Sequence, residues 1–272
     1  MQEAVWLLKQ AIELISAVLF AGILKIMRPR PRRVVLYYHG LKQEQLAPFE
    51  RQMAHLARRY TVVPASRIKI ARSEHGKSLV ALTFDDGLAS VLNHAVPILK
   101  RFALPASICV PTGNLGRRPA WEMADDCPDR DDCVMTTRQV KELDKSGFEL
   151  FSHGVSHVPL SQLPTDEIGS EVTESKKHLE RILGHEIAGI SYPHGAYDGR
   201  VIRLAREAGY HVAFTTQPHL VDDKTETLEI GRTSVSPDDG LLVFKLKACG
   251  AYQASLYLRM CKRVVLGRHR HV

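Results

Sequence analysis

Short, continuous apolar runs alternate along this chain with longer segments of helical period. The runs VVLYYH (34–39), LVALTFDD (79–86), PASICVPT (105–112), FELFSH (148–153), AGISYP (188–193) and HVAFTT (211–216) are rich in β-branched and aromatic residues. Their apolar positions do not alternate with polar ones, the pattern of strands buried on both faces. TLEIGRTSV (227–235) reads as a further strand. Between these lie amphipathic stretches at 49–60, 88–102, 166–184 and 199–209. Another, TTRQVKELDKSG, opens on a capping box from Thr136 to Gln139 and stops at Gly147. A Gly-, Pro- and Asp-rich stretch at 113–135 interrupts the rhythm, and residues 238–266 read as helical. Repeated strand–helix units with fully buried strands predict an α/β fold with a parallel sheet or barrel.

In such folds chemistry collects where the strands end. The predicted ends carry His39, the pair Asp85-Asp86, His153, Pro193-His194 and Thr215-Thr216. Adjacent carboxylates at the end of a buried strand repel each other, so their presence asks for a reason. SHGVSH supplies one, with His153 and His157 four residues apart. Two neutral imidazoles and one carboxylate are a usual ligand set for a catalytic divalent metal. One aspartate can then ligate while the other takes a proton from the attacking water. No H-E-x-x-H occurs, which disfavours a metallopeptidase.

Charge changes the picture at the two ends of the chain. The sequence has 272 residues, 44% of them hydrophobic, and a formal charge of +7. Lys25, Arg28, Arg30, Arg32 and Arg33 form one basic cluster, and Arg259, Lys262, Arg263, Arg268 and Arg270 another. Neither span contains an acid, so the body between them is mildly acidic. No aromatic–basic interleaving points to nucleic acid. Residues 4–27 are apolar, but their longest charge-free run, Leu14 to Leu24, is shorter than the roughly 18–20 residues a clean membrane span needs. Gln2, Lys9, Glu13 and Ser16 share one helical face, with Leu7, Leu14 and Val18 opposite. The segment therefore reads as an interfacial helix on an anionic membrane, with a spanning anchor or a helix packed on the protein's own core as alternatives. No positive n-region or A-x-A cleavage site marks a removable signal peptide. A membrane-associated protein on the cytoplasmic face is expected, or a periplasmic or cell-surface one with an uncleaved anchor. Five cysteines make no disulfide framework, and Cys127 and Cys133 read as loop thiols.

Together TFDDG, SHGVSH and SYPHGAYD resemble the polysaccharide deacetylase family with the NodB homology domain, carbohydrate esterase family 4. VVLYYHGL, EAGYHVAFTT and EIGRTSV are similar to a subgroup found in exopolysaccharide and poly-N-acetylglucosamine systems. The resemblance implies a distorted (β/α)7 barrel over 34–236, preceded by a helix and basic linker (1–33) and followed by a helical extension with a basic tail (237–272). It implies hydrolysis of acetyl groups on a glycan or glycolipid, with Asp85 as base. Asp86, His153 and His157 become ligands of a divalent metal: zinc, or else cobalt, nickel or manganese. SYPHGAYD, with Tyr192, Pro193 and Gly195, takes the place of the motif that lines the substrate groove. His39 is expected beside the site. Arg232 is expected in an ion pair near the groove, or in contact with substrate. Three features depart from the family pattern. Gly154 stands where Ser or Thr is usual, the arginine that would steady the catalytic aspartate is missing before Pro193, and the Leu-x-His motif has no counterpart. The general acid is therefore open among His219, His194 and His39. A catalytically weak glycan-binding relative is the competing reading.

Overall fold

In a computed structural model, described for residues 2–26, 31–73, 76–123, 127 and 129–253, the apolar runs become eight parallel strands. They are β1 Arg33–Tyr38, β2 Thr61–Val62, β3 Leu79–Phe84, β4 Ser107–Val110, β5 Glu149–Ser152, β6 Gly189–Ser191, β7 Val212–Phe214 and β8 Thr233–Ser234. The helices are α1 Gln2–Ile26, α2 Leu46–Arg59, α3 Val96–Arg101, α4 Thr137–Lys145, α5 Thr165–Leu183, α6 Gly199–Glu207 and α7 Leu241–Ala248. The sheet runs β7-β6-β5-β4-β3-β1-β8, with β2 beside β3. One short segment joins its two edges. Ile230 bridges Phe214, and Thr233 and Ser234 pair with Leu36 and Tyr37. The result is the distorted (β/α)7 barrel expected, with β2 as a short strand that the sequence pattern did not reveal.

Strands β3, β4, β6 and β7 are buried on both faces because helices cover the outside and side chains fill the inside. Val34, Leu36, Tyr38, Val80, Leu82 and Phe84 pack outward beneath the helices. Val35, Leu79, Ala81, Cys109, Phe151 and Phe214 pack inward, closing the lower barrel. The stretch expected to be one helix over 88–102 contains a widened π turn at Val91–Ala95 before α3 begins. Pro97 in the first turn of α3 has no N–H to give to a preceding carbonyl, which explains the break. The capping box on α4 is present: the Thr136 side chain accepts from the Gln139 N–H, and Gln139 answers the Thr136 N–H.

The face of α1 carrying Leu14, Ala17 and Ala21 packs against Leu246 and Ala251. Ile12, Ile15, Val18 and Leu19 stay exposed, Leu19 by 66%. Leu14 and Val18, expected on one apolar face, are thus separated: one meets the protein and the other meets solvent. No described helix is long and apolar enough to cross a membrane. Residues 254–272, with the second basic cluster, and residues 27–30 of the first lie outside the described residues. Cys127 and Cys133 are both free.

Candidate active site

The site is built on the upper ends of β3, β5, β6 and the β7–β8 segment. Asp85 extends β3, its N–H donating to the Tyr38 carbonyl at 2.9 Å. The chain then turns through two left-handed residues, Asp86 (φ 67°) and Gly87 (φ 56°). This reversal sends the neighbouring carboxylates in different directions. It also costs backbone strain at Asp86, a cost that concentrates at functional sites. His157 (φ 60°) and His194 (φ 57°) are strained in the same way.

Asp85 is clamped by Arg232. Nη1 donates to Oδ1 and Nη2 to Oδ2, both at 2.7 Å. The other guanidinium donors reach Thr83 Oγ1 (2.9 Å), Ser191 Oγ (2.8 Å) and the Thr215 carbonyl (3.0 Å). All five N–H groups are used, which is what makes a fully buried guanidinium tolerable. Its face lies over the Tyr37 ring, 4.6 Å from the centroid. Burial pushes the Asp85 carboxyl up, but Arg232, aided by His153, overcomes this and holds it well below the usual carboxylate range. No arginine stands before Pro193; Arg232, just before β8, pairs with Asp85 instead, and Ser191 accepts from it. Arg232 is fully buried in its ion pair with Asp85 and lines a polar cavity.

Asp86, His153 and His157 converge on one point. Their ligand atoms all lie within 4.8 Å of one another. Asp86 Oδ1 is 3.1 Å from His157 Nε2 and 3.5 Å from His153 Nε2, yet it makes no well-directed hydrogen bond. The three ligand atoms are thus gathered and buried, as those of a metal site are. The second contact of His153 fits too: its Nδ1 lies 2.7 Å from the Ser191 carbonyl oxygen. That bond puts the proton on Nδ1 and leaves Nε2 free to ligate. Burial raises the Asp86 carboxyl, but the two imidazoles outweigh it and leave the carboxylate ionised. The three residues fit a divalent cation.

The rings of Trp121 and His194 flank His157, with centroids 4.2 and 4.7 Å away. Trp121 comes from the polar 113–135 stretch, where a lone tryptophan was the one unused signal. His194 is exposed, and Gly195 packs so tightly on Thr216 that a Cβ would collide with its Oγ1. His39 is exposed beside Tyr37, ring centroids 5.7 Å apart. Asp129 sits against the neighbouring Gly40. Tyr192, expected on the groove wall, is fully buried instead, donating to the Leu228 carbonyl at 3.0 Å and stacking on Tyr197. Pro193 is buried as well. His219 is half-buried against Gly231, and burial lowers its pKa. A polar cavity of about 330 Å³ adjoins Arg232, between Tyr37, Thr216, Ser234 and Lys247, with Gln10 and Glu13 of α1 on its rim.

Comparison with known proteins meets the same residues. The chain is 28% identical over 158 residues to "Putative polysaccharide deacetylase YxkH" of Bacillus subtilis, covering 58% of this chain and 52% of that protein. It is 23% identical over 171 residues to the poly-beta-1,6-N-acetyl-D-glucosamine N-deacetylase of Staphylococcus aureus, covering 60% and 56%. The chain thus spans about half the length of these curated relatives. Among solved structures, the Streptococcus pyogenes deacetylase PplD, in complex with acetate, superposes with a TM-score of 0.65. That match has 25% identity and covers 80% of this chain and 97% of PplD. The family profile described as polysaccharide deacetylase matches residues 72–213, more than half of the chain, which contain Asp85, Asp86, His153 and His157, and the chain belongs to that family.

Proposed function

We propose that this protein is a metal-dependent hydrolase that removes acetyl groups, N-acetyl groups of GlcNAc-type residues first, from a polysaccharide or glycoconjugate. The observation that carries this reading is the pairing of a clamped, ionised Asp85 with a three-ligand cluster one residue away. A divalent cation on Asp86, His153 and His157 supplies Lewis acidity for the acetyl carbonyl and the attacking water; zinc suits the ligands, and cobalt, nickel or manganese would also serve. Asp85 takes the water's proton, and Arg232 keeps that carboxylate ionised and aimed. The departing amine needs a proton. A histidine at a strand end would supply it: His39, exposed just after β1, His194, whose ring centroid lies 4.7 Å from that of His157, or His219, half-buried against Gly231. The glycan-binding alternative leaned on the missing acid and arginine motifs; the Arg232–Asp85 pair speaks against the second ground.

The exposed apolar row on α1, close in sequence to the first basic cluster, supports a second inference: the protein lies on an anionic membrane surface, at the cytoplasmic leaflet where such lipids gather.

Acetate release from a panel of N-acetylated glycans, with and without added metal, tests the hydrolase reading. Activity should need metal. Asp85→Asn should keep the metal yet lose roughly 10²–10⁴ in kcat, the scale of a positioned general base. No release from any glycan, or an equally active Asp85→Asn variant, rejects the mechanism.

A further inference from the structure

We infer that Glu171 of α5 is a positioning residue for the metal ligands: its carboxylate fastens the loop that sets His157 against His153. The inference rests on the metal reading above.

His153 is held by the sheet, its N–H donating to the Val110 carbonyl at 3.0 Å, and by Ser191. His157 has left the ladder. Its position depends on the loop between them, which turns at Gly154 (φ 74°) and again at His157 itself. On one side this loop is tied to the turn after β4: the Gly154 and Val155 carbonyls accept from Thr112 and Gly113 at 3.0 and 2.8 Å. On the other side everything converges on Glu171. The Val155 and Ser156 N–H groups donate to Oε2 at 2.7 and 3.1 Å, and the Ser156 hydroxyl donates to Oε1. Successive N–H groups that converge beside left-handed residues form an anion-binding concavity, and Glu171 fills it from within the protein.

Gly154 has no side chain to make such bonds, and its place is shaped for this carboxylate. A Cβ there would come within 3.0 Å of Glu171 Oε2. Glu167 and Glu174 line the same cleft. Three acids on one helix face repel one another, so a carboxylate at 171 that bends toward the loop needs its donors. Glu174, by contrast, pairs outward with Lys177. The structure thus separates a loop-holding acid from an ordinary surface one on the same helix.

The test uses the full-length protein, with Zn(II) affinity measured by chelator competition and the ligand field read from the visible spectrum of the Co(II) form. Glu171→Ala should weaken metal binding about 10-fold or more, the usual scale for losing an outer-shell support, and change the Co(II) spectrum. Glu171→Gln keeps one acceptor oxygen and should lose several-fold. Glu174→Ala, on the same helix, should match wild type in both readouts. Wild-type affinity and spectrum in Glu171→Ala, or in Glu171→Gln if the alanine variant does not fold, overturn the inference while leaving the metal reading intact. A wild-type protein that takes up no metal overturns both.

Discussion

Arg232 and Asp85 form a pair in which neither charge would be tolerated alone. Removing one partner of a buried pair strands the other, at about 3–5 kcal/mol. Arg232→Met should therefore destabilise the fold by that order in chemical denaturation at neutral pH. The pH profile carries a sharper signature. The folded Asp85 carboxyl is depressed, so the pair stabilises fully above the unfolded carboxylate value, about 3.9, and fails as pH falls through the folded value. Arg232→Met removes that depression, leaving burial to push the carboxyl up. The acid limb of the activity profile should then move to higher pH; an unmoved limb would show that Arg232 does not tune the base. The ligand cluster makes a separate prediction: Asp86→Ala and His157→Ala should each lower bound metal and activity together. Full metal occupancy after dialysis in either variant removes that residue from the ligand set.

At the scale of elements, local sequence rules decide how the helices begin. Asp198 caps α6, accepting from the Arg200 and Val201 N–H groups at 2.8 and 3.1 Å. Asp198→Ala should cost about 1 kcal/mol, the usual worth of such a cap. Burial opposes ionisation of Asp198, but its bonds to Arg200 and Val201 win and lower its pKa. Its contribution is therefore whole above the unfolded value, about 3.9, and is lost as pH falls through the lower folded value. Denaturation of wild type and variant at pH 7 and pH 3 should show the gap narrowing in acid. A gap that stays constant would assign the cost to packing. The caps on α4 and α6 involve residues two or three apart, so they can be read from a short window. The π turn before α3 follows from Pro97, equally local.

At the scale of the whole molecule, α1 divides its faces between the barrel's last helix and the surroundings. Leu14, Ala17 and Ala21 meet Leu246 and Ala251, while Ile12, Ile15 and Leu19 remain uncovered. If the uncovered row lies on lipid, a protein lacking residues 1–30 should stop co-sedimenting with anionic vesicles and still hydrolyse a soluble acetylated sugar. Undiminished vesicle binding would shift the membrane contact away from α1.

The strand–helix alternation and the gathering of Asp85, Asp86, His153 and His157 on one edge followed from sequence alone, whereas the pattern left sheet or barrel open and only the family resemblance implied a barrel. Buried parallel strands leave continuous apolar runs, and side chains at strand ends stay next to the strand that presents them. Partners far apart in sequence were decided only by tertiary structure. Arg232 reaches Asp85 across 147 positions, and nothing in the order of residues shows that the segment after β7 closes the ring and turns that side chain inward. Tyr192 was misplaced for the same reason: a tyrosine beside a motif proline looks the same in sequence whether it faces a groove or a core. His219 lies just past the predicted strand, and the chain carries it onto Gly231, the neighbour of Arg232. Glu171 approaches its loop from a helix whose acidic face reads as solvent-exposed. Period and motif fix direction along the chain; which distant side chains meet depends on how the barrel closes, and closure is a property of all its strands together.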